Sequence, residues 1–185
     1  MLQLEDIVKK CNEYGANKAF IIDVDKIPFD EGLRSYCEAN YCGCYDKNYA
    51  CPPSVGDVKE VISKAKSFKK ALIFQTVAKL EDSYDFEGMQ EAAIKHSEVA
   101  DKINEDFKKL YRDYLQLTAG GCTVCPACAK AENKPCRLPE KAVSSLEAYC
   151  MNVSILAGLC DMNYINGENT VTYFGAFLFN QGLPA

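Results

Sequence analysis

Cys122, Cys125, Cys128 and Cys136 form a C-x2-C-x2-C-x7-C run, opened by Gly120-Gly121 and with Pro135 directly before the last thiol. Thiols packed this tightly are poor core filler, and they dictate a loop that curls its backbone around a common centre. Each C-x2-C step turns two sulfurs and several amide N–H groups inward, and the repeat sets three thiolates around one point. Bacterial ferredoxin runs share this logic, with a proline beside a cysteine. The longer x7 gap lets Cys136 fold back as a fourth ligand, and a different fourth ligand stays open. The run therefore predicts a [4Fe–4S] cluster. Zinc is the competing ion, but its sites usually pair two C-x2-C knuckles a dozen or more residues apart, which suits three successive thiols less well.

Composition narrows the ligand chemistry. The chain has 185 residues, eleven cysteines and one histidine. Available donors are thus overwhelmingly soft thiolates, which select iron–sulfur clusters or zinc over magnesium or calcium. An odd cysteine count suits a disulfide framework poorly. The charged, amphipathic start Leu2–Lys10 contains no apolar run of signal-peptide length, and no segment is long and apolar enough to span a bilayer. The expectation is a reduced, cytoplasmic setting, where clustered cysteines read as metal or catalytic sites. A net charge of −5 carries no electrostatic footprint for nucleic acid or an anionic membrane.

The length suits one domain over 1–185, with alternating helices and strands around a small mixed sheet, an α/β or α+β class. Leu4, Ile7, Val8 and Cys11 fall on one face of a helix over Gln3–Tyr14, which makes Cys11 a small buried residue. Strands are expected at 19–24, 71–78, 115–118 and 170–179. Ser54–Asp57 resembles a capping box opening a helix that turns Val58, Val61, Ile62, Ala65 and Phe68 inward. A longer helix is expected from Phe86 to Tyr114, its apolar stripe including His96. That lone histidine reads as packed and hydrogen-bonded, since no neighbouring ligand accompanies it. Ser144–Glu147 forms a second capping box, opening a helix that would carry Cys150 and Cys160 on its buried face.

Between Leu33 and Pro53 periodicity disappears while Cys37, Cys42, Cys44 and Cys51 accumulate, spaced C-x4-C-x-C-x6-C. A long structureless loop usually has a functional reason or a metal clamp. These thiols either make a second site or complete the first, so the count of clusters is one or two. In an extended C-x-C step Cys42 and Cys44 would point to opposite sides, leaving one as a bystander. Arg137, Lys130 and Lys134 flank the second run. A cation beside a thiolate-bound cluster raises its reduction potential, and Arg137 is the candidate for that contact. For the lysines, solvated loop charge is an equally good account.

Cys42-Gly43-Cys44-Tyr45-Asp46-Lys47-Asn48-Tyr49-Ala50-Cys51-Pro52-Pro53, with the Gly121–Cys128 run and Pro135-Cys136-Arg137-x-Pro139-Glu140-Lys141-Ala142-x-Ser144-x-x-Glu147-Ala148, resembles a cysteine-rich, predicted metal-binding family, domain of unknown function 2284. The likeness covers most of the chain. It implies ligand cysteines at Cys37, Cys42, Cys51, Cys122, Cys125, Cys128 and Cys136. Cys44 lies outside that pattern, and the family usually has glycine where Asp46 and Cys150 stand. No reaction comes with the resemblance.

The leading expectation is an iron–sulfur protein in electron transfer or an accessory redox role, working with a redox partner protein. Four cysteine ligands leave no iron open to substrate, which favours passing electrons. The rivals are a zinc-stapled interaction module and an enzyme using an incompletely ligated second site. For the enzyme the sequence offers no glycine-rich phosphate loop and no glycine-flanked nucleophile.

Overall fold

A computed structural model describes residues 4–180 and shows a five-stranded mixed sheet with helices on both faces. In chain order the elements are α1 (Leu4–Tyr14), β1 (Lys18–Asp23), α2 (Arg34–Glu38), α3 (Val58–Lys66), β2 (Lys70–Lys79), α4 (Phe86–Leu110), β3 (Tyr114–Thr118), β4 (Ser144–Ser145), α5 (Val153–Leu159) and β5 (Thr170–Phe179). The sheet order is β1-β2-β5-β3-β4, antiparallel except for the β3–β4 pair. Among the described residues no helix is long and apolar enough to cross a membrane.

The central pair β2–β5 is apolar on both faces because each face meets a helical layer. Leu72 and Phe74 of β2, with Phe177 and Phe179 of β5, pack against Ile7 and Cys11 of α1 and Val99, Ile103 and Phe107 of α4. Ala71 and Ile73, with Phe174, Ala176 and Leu178, face Val61 and Ala65 of α3 and Leu156 and Ala157 of α5. The period-2 alternation of the strands thus divides one apolar run between two cores. Gly175 opposes Phe74 in the register, and a Cβ there would lie 2.3 Å from the Phe74 ring. Only glycine lets that ring lie across β5, where it also stacks on His96 at 5.1 Å.

Several boundaries differ from the sequence expectation for local reasons. Gln3 lies outside the described residues, so α1 is seen from Leu4. The box that opens α3 is Asp57 with Glu60, whose side chains and backbone N–H groups bond reciprocally, three residues later than the Ser54 proposal. Tyr111 is extended (φ −131°, ψ 131°), so α4 stops at Leu110 and Tyr114 opens β3 instead. Buried positions on α4 include Ala92, His96, Val99, Ala100, Ile103 and Phe107, while Phe86 at the helix start is exposed. Ser144-Ser145 is a strand, not a helix start: it pairs with Leu117-Thr118, and the helix begins at Val153 behind an Asn152 cap. Backbone pairing to β3 takes the residues that the cap pattern claimed.

Both cysteine loops meet where β3 ends. Leu117 pairs with Ala176, so the chain leaving Thr118 runs alongside the Thr172–Phe174 part of β5. The second loop starts there, and the first is carried to it by α2 and the 39–57 segment.

Candidate metal centre

The first loop is not structureless. Arg34–Glu38 forms the short helix α2, which carries Cys37 on its last turn. Beyond it Asn40, Gly43 and Asp46 all take positive φ (57°, 74° and 56°), so the backbone curls tightly. Asn40 accepts from the Tyr45 N–H through its side chain at 3.0 Å, and Asn48 does the same for Ala50 at 2.9 Å. The curl overturns the extended reading of the C-x-C step. Cys42 and Cys44 lie on one cavity of about 360 Å³, together with Cys37 and Cys51. Asp46 and Cys150, where the resemblance expects glycine, have φ of 56° and 58°. The glycine preference therefore has a backbone reason, and the left-handed turn survives both replacements.

In the second loop Gly120 turns the chain (φ 73°), and Cys122, Cys125, Cys128 and Cys136 line a separate space of about 20 Å³. Arg137 borders the same space. Its Nη1 donates to the Ala127 carbonyl at 2.8 Å, and Nη2 lies 3.7 Å from Glu132. It braces the thiol run across its own turn.

The two loops are clamped together. Asn48 Nδ2 donates to the Cys122 carbonyl at 2.8 Å, and the Tyr49 hydroxyl donates to the Lys134 carbonyl at 2.7 Å. Lys130 pairs with Asp46 at 3.0 Å and lies 5.5 Å from the Tyr49 ring centroid. Lys130 is thus an inter-loop tie, whereas Lys134 pairs with the nearby Glu132. The loops also come close at Gly121: a Cβ on it would stand 3.1 Å from Cys44 Sγ and 3.4 Å from Cys51 Sγ.

Burial pushes the Cys51 thiol up to about 12, and Cys44, Cys42, Cys37 and Cys122 add to the rise. Cys37 is raised by burial too, with the Arg34 guanidinium opposing. Half-buried thiols hold their protons until a cation offsets the charge. Arg34 was not singled out from the sequence, although it stands three residues before Cys37 on a helix. It is buried, with Nη1 on the Gly56 carbonyl (3.0 Å) and Nη2 on the Ala148 carbonyl (3.2 Å), and its buried Nε has no partner. Glu147 lines the larger cavity and is exposed through it, while much protein lies close around its carboxyl. This desolvation raises its carboxyl pKa, against the pull of its own backbone and of Ser145.

The remaining cysteines stay apart. Cys11 and Cys160 are buried, and desolvation holds their thiols at about 12 and about 11. Cys150 is buried as expected, but in a left-handed turn after Glu147–Tyr149, not on a helix face. All eleven cysteines are free thiols. His96 is likewise a core residue: Nδ1 lies 2.9 Å from Thr76 Oγ1, and burial lowers its pKa to about 4.

The donor set fits a thiolate-bound metal centre, with four cysteines on each of two spaces and no histidine beside them. The thiols border these spaces without crowding together. Among the described residues no three His, Cys, Asp or Glu side chains converge on one ion-sized position.

No curated protein and no solved structure matches the chain. A family model for predicted metal-binding proteins (DUF2284) matches residues 20–179, which include both cysteine loops. The chain belongs to this predicted metal-binding family.

Proposed function

We propose that this metal-binding protein is an iron–sulfur protein that passes electrons to and from a protein partner. One [4Fe–4S] centre is assigned to Cys122, Cys125, Cys128 and Cys136, and a second to Cys37, Cys42 and Cys51. Cys44, on the same cavity as the latter three, becomes a further candidate. The observation that carries the reading is the meeting of the two thiol sets at Gly121-Cys122: Gly121 lies against Cys44 and Cys51, and Cys122 is its neighbour in the chain. When bound, such clusters accept and release single electrons, and four cysteine ligands, as at the Cys122–Cys136 centre, leave no iron open to a substrate. The chain supplies the surroundings. Asn48 ties the loops, Arg34 places a buried positive charge near Cys37, and Arg137 holds the second turn beside its thiols. Positive charge and N–H donors near thiolates raise a cluster's potential. A reducing compartment such as the cytoplasm suits eleven free thiols.

Zinc at the second loop has one observation in its favour. A space of about 20 Å³ is room for about one water-sized body, so a cluster enters only if the Cys122–Cys136 turn opens around it.

Anaerobic purification with assay of iron, acid-labile sulfide and zinc decides between them. A brown protein with about four iron and four sulfide per cluster is expected. Colourless protein with stoichiometric zinc and no sulfide overturns the iron–sulfur reading. Cys125→Ala and Cys51→Ala should each remove about half of the iron. Unchanged iron and sulfide in Cys51→Ala would leave one centre only.

A further inference from the structure

The larger cavity has more wall than a metal centre uses. Besides Cys37, Cys42, Cys44 and Cys51, its lining includes Tyr164, Tyr173 and Phe174, with Thr172 and Glu147. Tyr164 stacks on Phe174 at 6.1 Å, and Tyr164 is half exposed, so the aromatic wall reaches the surface. The Tyr173 hydroxyl is already committed to the Met89 carbonyl at 3.0 Å, which leaves its ring for contact. Among the described residues Glu147 makes no ion pair, so its carboxyl has no cation to satisfy it. A volume of about 360 Å³ with mostly apolar walls and a few polar groups, Glu147, Ser145 and Thr172, is the usual form of a small-molecule site.

We infer that this cavity binds a small organic molecule with a flat, apolar body and one N–H donor, an amine or N–H heterocycle. The N–H is set on the Glu147 carboxyl and the body on the Tyr164, Tyr173 and Phe174 wall. The Glu147 carboxyl already accepts from its own backbone and from Ser145 but has acceptor capacity left, so a ligand N–H adds a charge-assisted hydrogen bond that a ligand lacking the donor cannot make. The aromatic wall also favours a cationic nitrogen over a neutral oxygen acceptor. For the placement of a metal centre at the thiols, the inference rests on the proposed function. It adds to that function a ligand held beside the first-loop centre.

The test uses the protein as isolated, with its metal content, iron and sulfide measured on the same sample. Indole and 1-methylindole are matched in shape and differ in the N–H. The chain has no tryptophan, so indole emission reports binding directly. Saturable indole binding is expected, about tenfold or more tighter than for 1-methylindole. Glu147→Leu should cut that preference to about twofold or less, and Thr172→Phe, which fills the cavity, should weaken both probes by about tenfold. No saturable indole binding, equal affinity for the two probes in the wild type, or a preference that survives Glu147→Leu overturns the inference. The wild-type comparison stands even if a variant fails to fold. Donor-dependent binding by a protein that holds zinc and no sulfide supports the site while sinking the iron–sulfur reading. Iron-loaded protein blind to the N–H does the reverse.

Discussion

Gly121 is the residue on which the two cysteine loops depend. A methyl group at this position meets Cys44 Sγ at 3.1 Å and Cys51 Sγ at 3.4 Å. A free thiol can swing aside from such a contact, but a thiol held by metal cannot. Gly121→Ala is therefore expected to fold with an unchanged melting temperature while losing most of the metal bound through the first loop. Iron per chain measured beside a thermal melt checks this, and full loading would show that the contact is slack. Asp46 and Cys150 illustrate a different residue-scale economy. Each occupies a left-handed backbone position where glycine costs least. Asp46 recovers part of the cost through its ion pair with Lys130, and Cys150 is fully buried.

Among the elements, α1 and α4 are latched by one buried carboxylate. Asp106 receives Lys109 Nζ at 2.6 Å, the Tyr14 hydroxyl at 2.7 Å and Lys10 Nζ at 3.2 Å. Burial by itself would raise its pKa, but these three donors outweigh it and hold the carboxyl at about 2. The folded value is below the unfolded one, so the stabilisation is complete above the usual carboxylate range near 4. It is lost as pH falls from there toward 2. Asp106→Asn should cost about 2 kcal/mol at pH 7, the scale of hydrogen bonds to a charged group. The variant should also show a shallower loss of stability between pH 4 and pH 2 by about the same amount. Urea unfolding at pH 7 and pH 3 measures both. None of the latch residues lines either thiol space, so metal content should not change.

At the scale of the molecule, the sheet and its two cores stand apart from the metal loops. The central β2–β5 pair is buried from both sides by helices, with no thiol loop in either layer's core except through Leu146–Met151. Removing metal should therefore loosen 37–53 and 119–143 and leave the sheet protected. Hydrogen exchange before and after anaerobic chelation tests this. Global unfolding on chelation would mean that the metal is part of the folding energy, as in small zinc domains. Loading has a pH sign as well. Burial raises the Cys37 and Cys51 thiols, so each must give up a proton to bind, and affinity should fall as pH is lowered.

Much of this architecture was legible in local pattern. The strands at 71–78 and 170–179 announced themselves by unbroken β-branched and aromatic runs. The α1 stripe placed Cys11 in the core, and the lone His96 read as packed. Cysteine spacing separated loop thiols from buried ones, because ligand loops lack the periodicity of packed helices. What spacing could not provide was proximity between distant segments. That Gly121 comes close to Cys44 and Cys51, and that Arg34 and Glu147 flank the first-loop set, depend on the sheet. Pairing of Leu117 with Ala176 brings the end of β3 to the middle of β5, and only then do the loops meet. Cys42 and Cys44 share a cavity for the same kind of reason: positive φ at Asn40, Gly43 and Asp46 bends a step that linear spacing reads as straight. Donor chemistry belongs to residue types and is written in the chain. The grouping of donors belongs to contacts between segments far apart in sequence, and folding alone creates those.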